Sequence, residues 1–137
     1  MAAITPFAQL VAVLDALKTG DYGAVTMDLY QNDVDPTPSS VLGDFEVADF
    51  SGYAQATALD FGGVFQNLDG YAEMDLPSQQ FDHSGGATAN NIYGFFVEVT
   101  AGGLLYAERF PVVPIPMITA VNSIIVLSRF VLRNIGT

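Results

Sequence analysis

Between residues 92 and 110 the chain reads IYGFFVEVTAGGLLYAERF, and this stretch limits the available folds more than any other. Two apolar runs, residues 92–99 and 104–110, flank Thr100-Ala101-Gly102-Gly103, a short glycine-bearing connection of the kind that closes an antiparallel pair. In the first run Tyr93, Phe95, Val97 and Val99 fall on one face and Ile92, Gly94, Phe96 and Glu98 on the other. A strand apolar on both faces belongs inside a packed structure rather than on a sheet with one wet side.

At 137 residues the chain is the size of one domain, which buries roughly 65–70% of the surface its unfolded form exposes. Half of it is hydrophobic. No apolar run approaches the roughly 20 residues of a spanning helix, so no membrane partner is expected. The N-terminus MAAITPFAQL lacks the basic region of a signal peptide. Without cysteine there is neither a disulfide framework nor thiolate chemistry. Four Lys+Arg against fifteen Asp+Glu give a net charge of −11. Residues 1–108 hold every acid and only Lys18, a net −14, whereas 109–137 hold Arg109, Arg129 and Arg133 and no acid, a net +3. Binding to phosphate backbones needs a cationic surface, so nucleic acid is not an expected partner. The arginines have two readings. They pair with acidic neighbours inside the domain, or Arg129 and Arg133 meet acidic surface on another subunit and fix its register.

Thr5-Pro6 followed by FAQLVAVLDALK and Gly20 predicts an N-terminal α-helix over residues 1–20, with a cap, a first-turn proline and a stop. Its apolar stripe, Phe7, Leu10, Val11, Leu14 and Leu17, packs either on the β core or as an arm on a neighbouring subunit. Residues 24–33 alternate as a half-buried strand, with Val25, Met27 and Leu29 opposite Thr26, Asp28 and Tyr30. A proline loop, Asn32 to Ser40, follows. A short helical turn is expected over Asp44 to Asp49, then a second alternating strand over 53–59 with Tyr53, Gln55, Thr57 and Leu59 on one face. Asp69-Gly70 suggests a hairpin turn, and 76–81 a connecting strand or loop. His83-Ser84-Gly85-Gly86 reads as an exposed, flexible turn. Three prolines make 111–116 an extended crossing segment. The closing run SIIVLSRFVLRN reads as a second doubly buried strand, partnering the opening hairpin. The expected fold is a single, mainly β domain: an antiparallel β-sandwich or jelly-roll-like barrel with one N-terminal α-helix.

No catalytic motif emerges. His83 is the only histidine, and Ser84, His83 and Asp82 are adjacent and cannot meet in triad geometry. Neither a P-loop nor a dinucleotide fingerprint occurs. Asp33 with Asp35, and Asp69 with Glu73 and Asp75, carry oxygen ligands that could hold Ca²⁺, though neither stretch matches the twelve-residue loop, and solvated surface acids are the default. No cofactor is expected.

The run LYQNDVDPTPSSVLGDFEVADFSGYAQATA, residues 29–58, resembles a segment of small bacteriophage virion proteins, and NNIYGFFVE, LLYAERF and SIIVLSRFVLR look like the same kind of protein. The resemblance carries structural residues only. It implies a virion structural component of capsid cement (decoration) type, made in the host cytoplasm and bound on the capsid surface. Its partners would be the major capsid protein and copies of itself, with a trimer suiting threefold positions. Candidate contacts lie in the loops 31–45 and 111–121: Val34, Val112, Val113 and Ile115, with Arg129 and Arg133. The alternative is a tail, fibre or baseplate module binding host glycan on tyrosines such as Tyr53 or Tyr71. An enzyme using carboxylate chemistry is the third reading.

Overall fold

The computed structural model describes residues 25–57, 59, 64–66, 72–99 and 103–132, with 64–66, 72–77 and 127–132 described by backbone alone. The expected helix over 1–20 lies outside them. The described chain is mainly β and antiparallel: β1 (Val25–Tyr30), β2 (Val64–Gln66), β3 (Ala72–Asp82), β4 (Asn90–Ile92), β5 (Gly94–Val99), β6 (Gly103–Arg109), β7 (Ile115–Met117) and β8 (Ser123–Leu132). They form three sheets, ordered β1-β5-β6, β2-β3-β8 and β4-β7.

The hairpin β5–β6 forms, and β5 is the central strand of its sheet, but the expected first run breaks at Tyr93. Ile92 belongs to β4 and packs in the core with Phe95, while Tyr93 packs on the Phe96 side, the reverse of the faces expected for them. Both faces of β5 are covered, for separate reasons. Phe95, Val97 and Val99 face a core shared with Val25, Met27 and Leu29 of β1, Phe81 of β3, Ile124 and Val126 of β8, Ile92 of β4 and Met117 of β7. All three sheets therefore contribute to one apolar cluster. On the opposite face Phe96 joins Tyr30 and Phe45 in a second cluster, roofed by the loop that leaves β1. Phe45 stacks on Phe96 at 5.3 Å between ring centroids and meets Tyr30 at 5.0 Å. Gly94 makes room for this roof. It pairs with Tyr30 across the strands, and a Cβ there would run into the Tyr30 ring and the Glu108 carbonyl.

Proline shapes two of the strands. β3 and β8 shift register between Leu76 and Gln79, the interval that contains Pro77, so the residue without an N–H falls at a bulge. The segment 111–116 does not cross as one extended run: the chain bends at Pro111 and Val112, and the Val113–Pro114 peptide is cis. Ile115 and Pro116 then enter β7, a short strand paired only with β4 among the described residues.

Four further expectations are corrected. The closing strand pairs with β3 rather than with the hairpin. It is not doubly buried where its side chains are described: Ile124 and Val126 are buried, whereas Ile125 is 58% exposed. Four consecutive apolar residues, Ile124 to Leu127, concealed an alternating strand. Among its described residues, the second alternating strand expected over 53–59 shows an isolated bridge, Ala56 to Met27, rather than a strand. The helical turn expected over Asp44 to Asp49 lies earlier, as a 3₁₀ turn at Leu42–Asp44 in which the Asp44 carboxylate accepts from the Val41 N–H at 2.9 Å.

Candidate interaction surface around the clamped loop

Sequence and structure both direct attention to the segment running from β1 around the sheet edge and back, residues 31–59. The outer edge of β1 would expose unpaired backbone, and this segment covers it in pieces. The Gln31 N–H donates to Glu46 O at 2.8 Å, Ala48 N–H to Leu29 O at 2.9 Å, and Met27 and Ala56 exchange bonds at 2.9 and 3.0 Å. Between Ala48 and Ala56 the chain leaves the edge, which would strand the Leu29 N–H. The Tyr53 hydroxyl takes that place, accepting from Leu29 N at 3.0 Å and donating to Asp28 Oδ1 at 2.5 Å.

Asp28 is an acid only 4% exposed. Its second oxygen accepts from Gln55 Nε2 at 2.7 Å, so both oxygens are satisfied without a cation. The same amide lies 3.4 Å from Thr26 Oγ1 and from Glu98 Oε1. Burial, and then the bond to the Asp28 carboxylate, push the Tyr53 phenol well above the ordinary tyrosine range. Tyr53 also stacks on Phe81 at 5.9 Å. This corrects its reading as an open glycan platform: its ring is packed and its hydroxyl is committed. Tyr71 lies outside the described residues.

The first half of the segment is held by Arg109, at the end of β6. Its Nη1 lies 2.6 Å from Asp33 Oδ1 and donates to Val34 O at 3.3 Å, while Nε lies 3.3 Å from Asp35 Oδ1. The guanidinium sits over the Tyr93 ring, 5.4 Å from its centroid. Tyr30 donates to the same Val34 carbonyl at 3.3 Å, and burial pushes its phenol up to about 12. Asp33 and Asp35, weighed above as Ca²⁺ ligands, are thus partners of an arginine. Among the described residues no group of three or more His, Asp and Glu is placed to hold a metal. Glu73 and Asp75 are described by backbone alone and Asp69 lies outside the description.

Asn32 ties the two arms of the loop together, donating to Asp44 O and accepting from Glu46 N–H, both at 2.8 Å. The Thr37–Ser40 turn is closed by Ser40 N–H to Thr37 O at 3.0 Å and Thr37 N–H to Ser40 Oγ at 2.8 Å. Between Pro36, Thr37, Pro38 and Ser40 on this turn and Leu104–Ala107 of β6 lies a cleft of about 290 Å³. The loop's acids Asp33, Asp35, Asp44, Glu46 and Asp49 all face solvent.

The second half, 49–53, docks on residues 83–90. Asn90 accepts from Asp49 N–H at 2.8 Å and donates to Asp49 Oδ1 at 2.9 Å. Gly52 lies so close to Ser84 that a Cβ would sit 2.7 Å from the Ser84 Cβ, and its φ of +86° favours glycine as well. His83 is not the exposed turn residue expected from its Gly/Ser setting. It is 3% exposed and stacked on Phe50 at 5.8 Å. Nδ1 accepts from Gly85 N–H at 2.9 Å, and Nε2, 2.9 Å from Thr88 O, then carries the proton and donates. His83, Asp28 and Arg109 are all committed to bonds within the chain, and what they do there is hold two loops in one shape.

The expected contact residues scatter. Val34 is half-buried and packs against the Tyr30, Phe45 and Phe96 cluster. Ile115 packs against the main core, and Val113 is half-buried. Among the expected contacts whose side chains are described, Val112 alone stands open, at 78% exposure. Arg129 sits opposite Asp75 on β8, described by backbone alone, and Arg133 lies outside the described residues. The reading of the arginines as partners of acids inside the domain holds for Arg109, but sequence reasoning did not identify Asp33 and Asp35 as its partners. It also missed the Asp28–Tyr53 pair, for which an acid on a strand beside a tyrosine-bearing loop was the only signal. Among the described residues no helix is long and apolar enough to cross a membrane. No family model, no curated protein and no solved structure matches the chain.

Proposed function

We propose that the protein is a structural component of a bacteriophage virion, a capsid cement or decoration protein that binds across junctions of the major capsid protein. The observation that carries this reading is the construction of residues 29–58, the stretch that resembles virion proteins. It wraps the edge of the β1-β5-β6 sheet, is fixed by Arg109, Asn32 and Tyr53, and holds five acids out to solvent. A rigid acidic loop on a β scaffold suits a cationic rim on a neighbouring subunit, where repeated charge complementarity fixes register over many copies. We read the three sheets around one core as a sandwich-type domain, with the hairpin as its centre.

Quantitative mass spectrometry of purified virions tests the function. Copies in proportion to the capsid protein support decoration. A few copies per particle move the protein to the tail, fibre or baseplate, and absence from the particle defeats both readings.

A further inference from the structure

We infer that the turn between β3 and β4, residues 83–89, is an acid-sensitive latch, closed while His83 is neutral and opened when its imidazole takes a second proton. Each ring nitrogen has a partner, and the two partners make opposite demands. Nδ1 accepts from the Gly85 N–H at 2.9 Å, and Nε2 donates to Thr88 O at 2.9 Å. One proton satisfies both bonds. A second proton, on Nδ1, would face another N–H in a residue only 3% exposed. Stacking on Phe50 at 5.8 Å can attract an imidazolium, but the Phe50 ring does not replace the acceptor that the second N–H needs.

The latch holds residues 49–53. Ser51 bonds the turn three times: its N–H donates to Thr88 O at 3.0 Å, its Oγ accepts from Thr88 N–H at 2.9 Å, and its carbonyl accepts from Ser84 N–H at 2.9 Å. Thr88 O is thus shared between Ser51 and His83. A Cβ at Gly52 would collide with Ser84 and one at Gly86 with Ser51, so the two segments meet too closely to part by small degrees. Ser84 to Ala89 are exposed, and water reaches the turn as soon as the histidine releases it. His83 N–H also donates to Asn122 O at 3.2 Å, which ties the latch to the turn after β7.

Among the described residues no charged group bonds the ring. Residues 84–92 and 115–123 carry no ionisable side chain. Asp82, next in the chain, turns its carboxylate to Gln80 and Ser123 at 2.9 and 2.7 Å. Asp49 Oδ1 accepts from Asn90 and Gln31 at 2.9 and 3.3 Å, and Tyr53, edge-on to Phe50, commits its hydroxyl to Asp28. Nothing therefore offsets the lost Gly85 bond. An open turn leaves both nitrogens to water, where a histidine is half-protonated at about pH 6.5. The open form binds the second proton and the closed form has no place for it, so closure is complete above that pH and weakens as pH falls below it. The inference stands on this geometry and does not rest on the virion reading.

NMR on the full chain from about pH 8 to about pH 4 tests it, since His83 is the only histidine and its ring signals are unambiguous. Amide protection at Ser51, Ser84, Gly85 and Thr88, corrected for slower intrinsic exchange in acid, should fall roughly tenfold for each pH unit below about 6.5, as one linked proton requires. Leu29 and Val97 should stay protected over the same steps. Protection at the turn that stays constant, whether or not the ring takes a proton, overturns the inference. In His83→Gln, which cannot take a second proton, protection at Ser51 and Thr88 should no longer follow pH; a fall that persists there belongs to the acids and overturns the latch. Should that variant not fold, the wild type still decides. A loss of protection that tracks the His83 ring signals supports the latch, and one confined to about two units lower, where carboxylates ordinarily titrate, overturns it.

Discussion

Replacing Tyr53 by phenylalanine would keep the ring stacked on Phe81 and delete one oxygen that serves two groups, the Leu29 N–H and the Asp28 carboxylate. Leaving a buried polar group unpaired costs about 1–3 kcal/mol, and Asp28 is an acid that is almost wholly enclosed. We expect Tyr53→Phe to lose about 2–3 kcal/mol in denaturant titration, and the variant also lacking the acid, with Asp28→Leu, to recover part of that loss; an undiminished midpoint in the single variant would refute the account. The same chemistry sets a limit at high pH. The Tyr30 phenol is pushed up to about 12, chiefly by burial, and the Tyr53 phenol is raised further by burial and Asp28. A phenol whose folded value lies above its unfolded value of about 10 contributes stability that is complete below that value and lost as pH rises toward the folded one. Two of the six tyrosines should therefore ionise late, together with unfolding, in a phenolate absorbance titration. Six tyrosines titrating together in a folded protein would contradict this. Gly94 is the third residue of this kind. A methyl group there meets the Tyr30 ring and the Glu108 carbonyl, and overpacking of this sort costs about 1–3 kcal/mol, so Gly94→Ala should fold with a clearly lowered midpoint.

Elements differ in how far they could be read from the chain. On β8, Ile124 is buried and Ile125 is exposed. Ile124→Ala should cost about 2–5 kcal/mol and Ile125→Ala within about 0.5 kcal/mol, and equal losses would mean that the strand is covered on both faces. The residues themselves could not say this, because an unbroken apolar run hides its own alternation. The hairpin around Gly102-Gly103 was legible because a turn signal and two apolar runs depend only on near neighbours in sequence. The same holds for the existence of β1 and the proline loop after it, but not for β1 as a half-buried strand: Asp28 and Tyr30, on its expected wet face, are buried too, under the loop that returns over them. The roof over Phe96 was not legible, since it brings Phe45 to Phe96 across 51 positions of chain and Arg109 to Asp33 across 76. His83 misled for a related reason: glycine and serine beside it describe a turn, which is exposed from Ser84 to Ala89, and only the distant Phe50 and Asn122 draw the histidine itself inside. The clamp makes a testable statement about the loop as a unit. Arg109→Ala should speed hydrogen exchange at Val34 and around the Thr37–Ser40 turn while leaving β1 and β5 protected. Exchange that rises uniformly would show Arg109 to be part of the global core instead.

At the scale of the whole molecule, charge opposes compactness. Fifteen acids face four bases, and one of those bases, Arg109, is already shared between Asp33 and Asp35. Self-repulsion of this size lowers the stability of the compact state, and salt relieves it by shortening the Debye length from about 20 Å near 0.02 M to about 4 Å near 0.5 M. The same salt weakens the Arg109 clamp. The two effects have opposite signs, and their ranges decide between them. The clamp is one cation with two acids lying 68% and 82% exposed, and exposed pairs of this type contribute little. The repulsion is summed over many separated acids and reaches well beyond contact distance. We therefore expect the melting temperature to rise with sodium chloride, by a few degrees over this range, at a concentration low enough to hold the protein in one assembly state. Because salt also lets copies approach, the rise must persist on dilution to be assigned to the fold. A rise that vanishes on dilution belongs to association between copies, and a fall with salt would mean that pairing, rather than repulsion, governs the acidic surface.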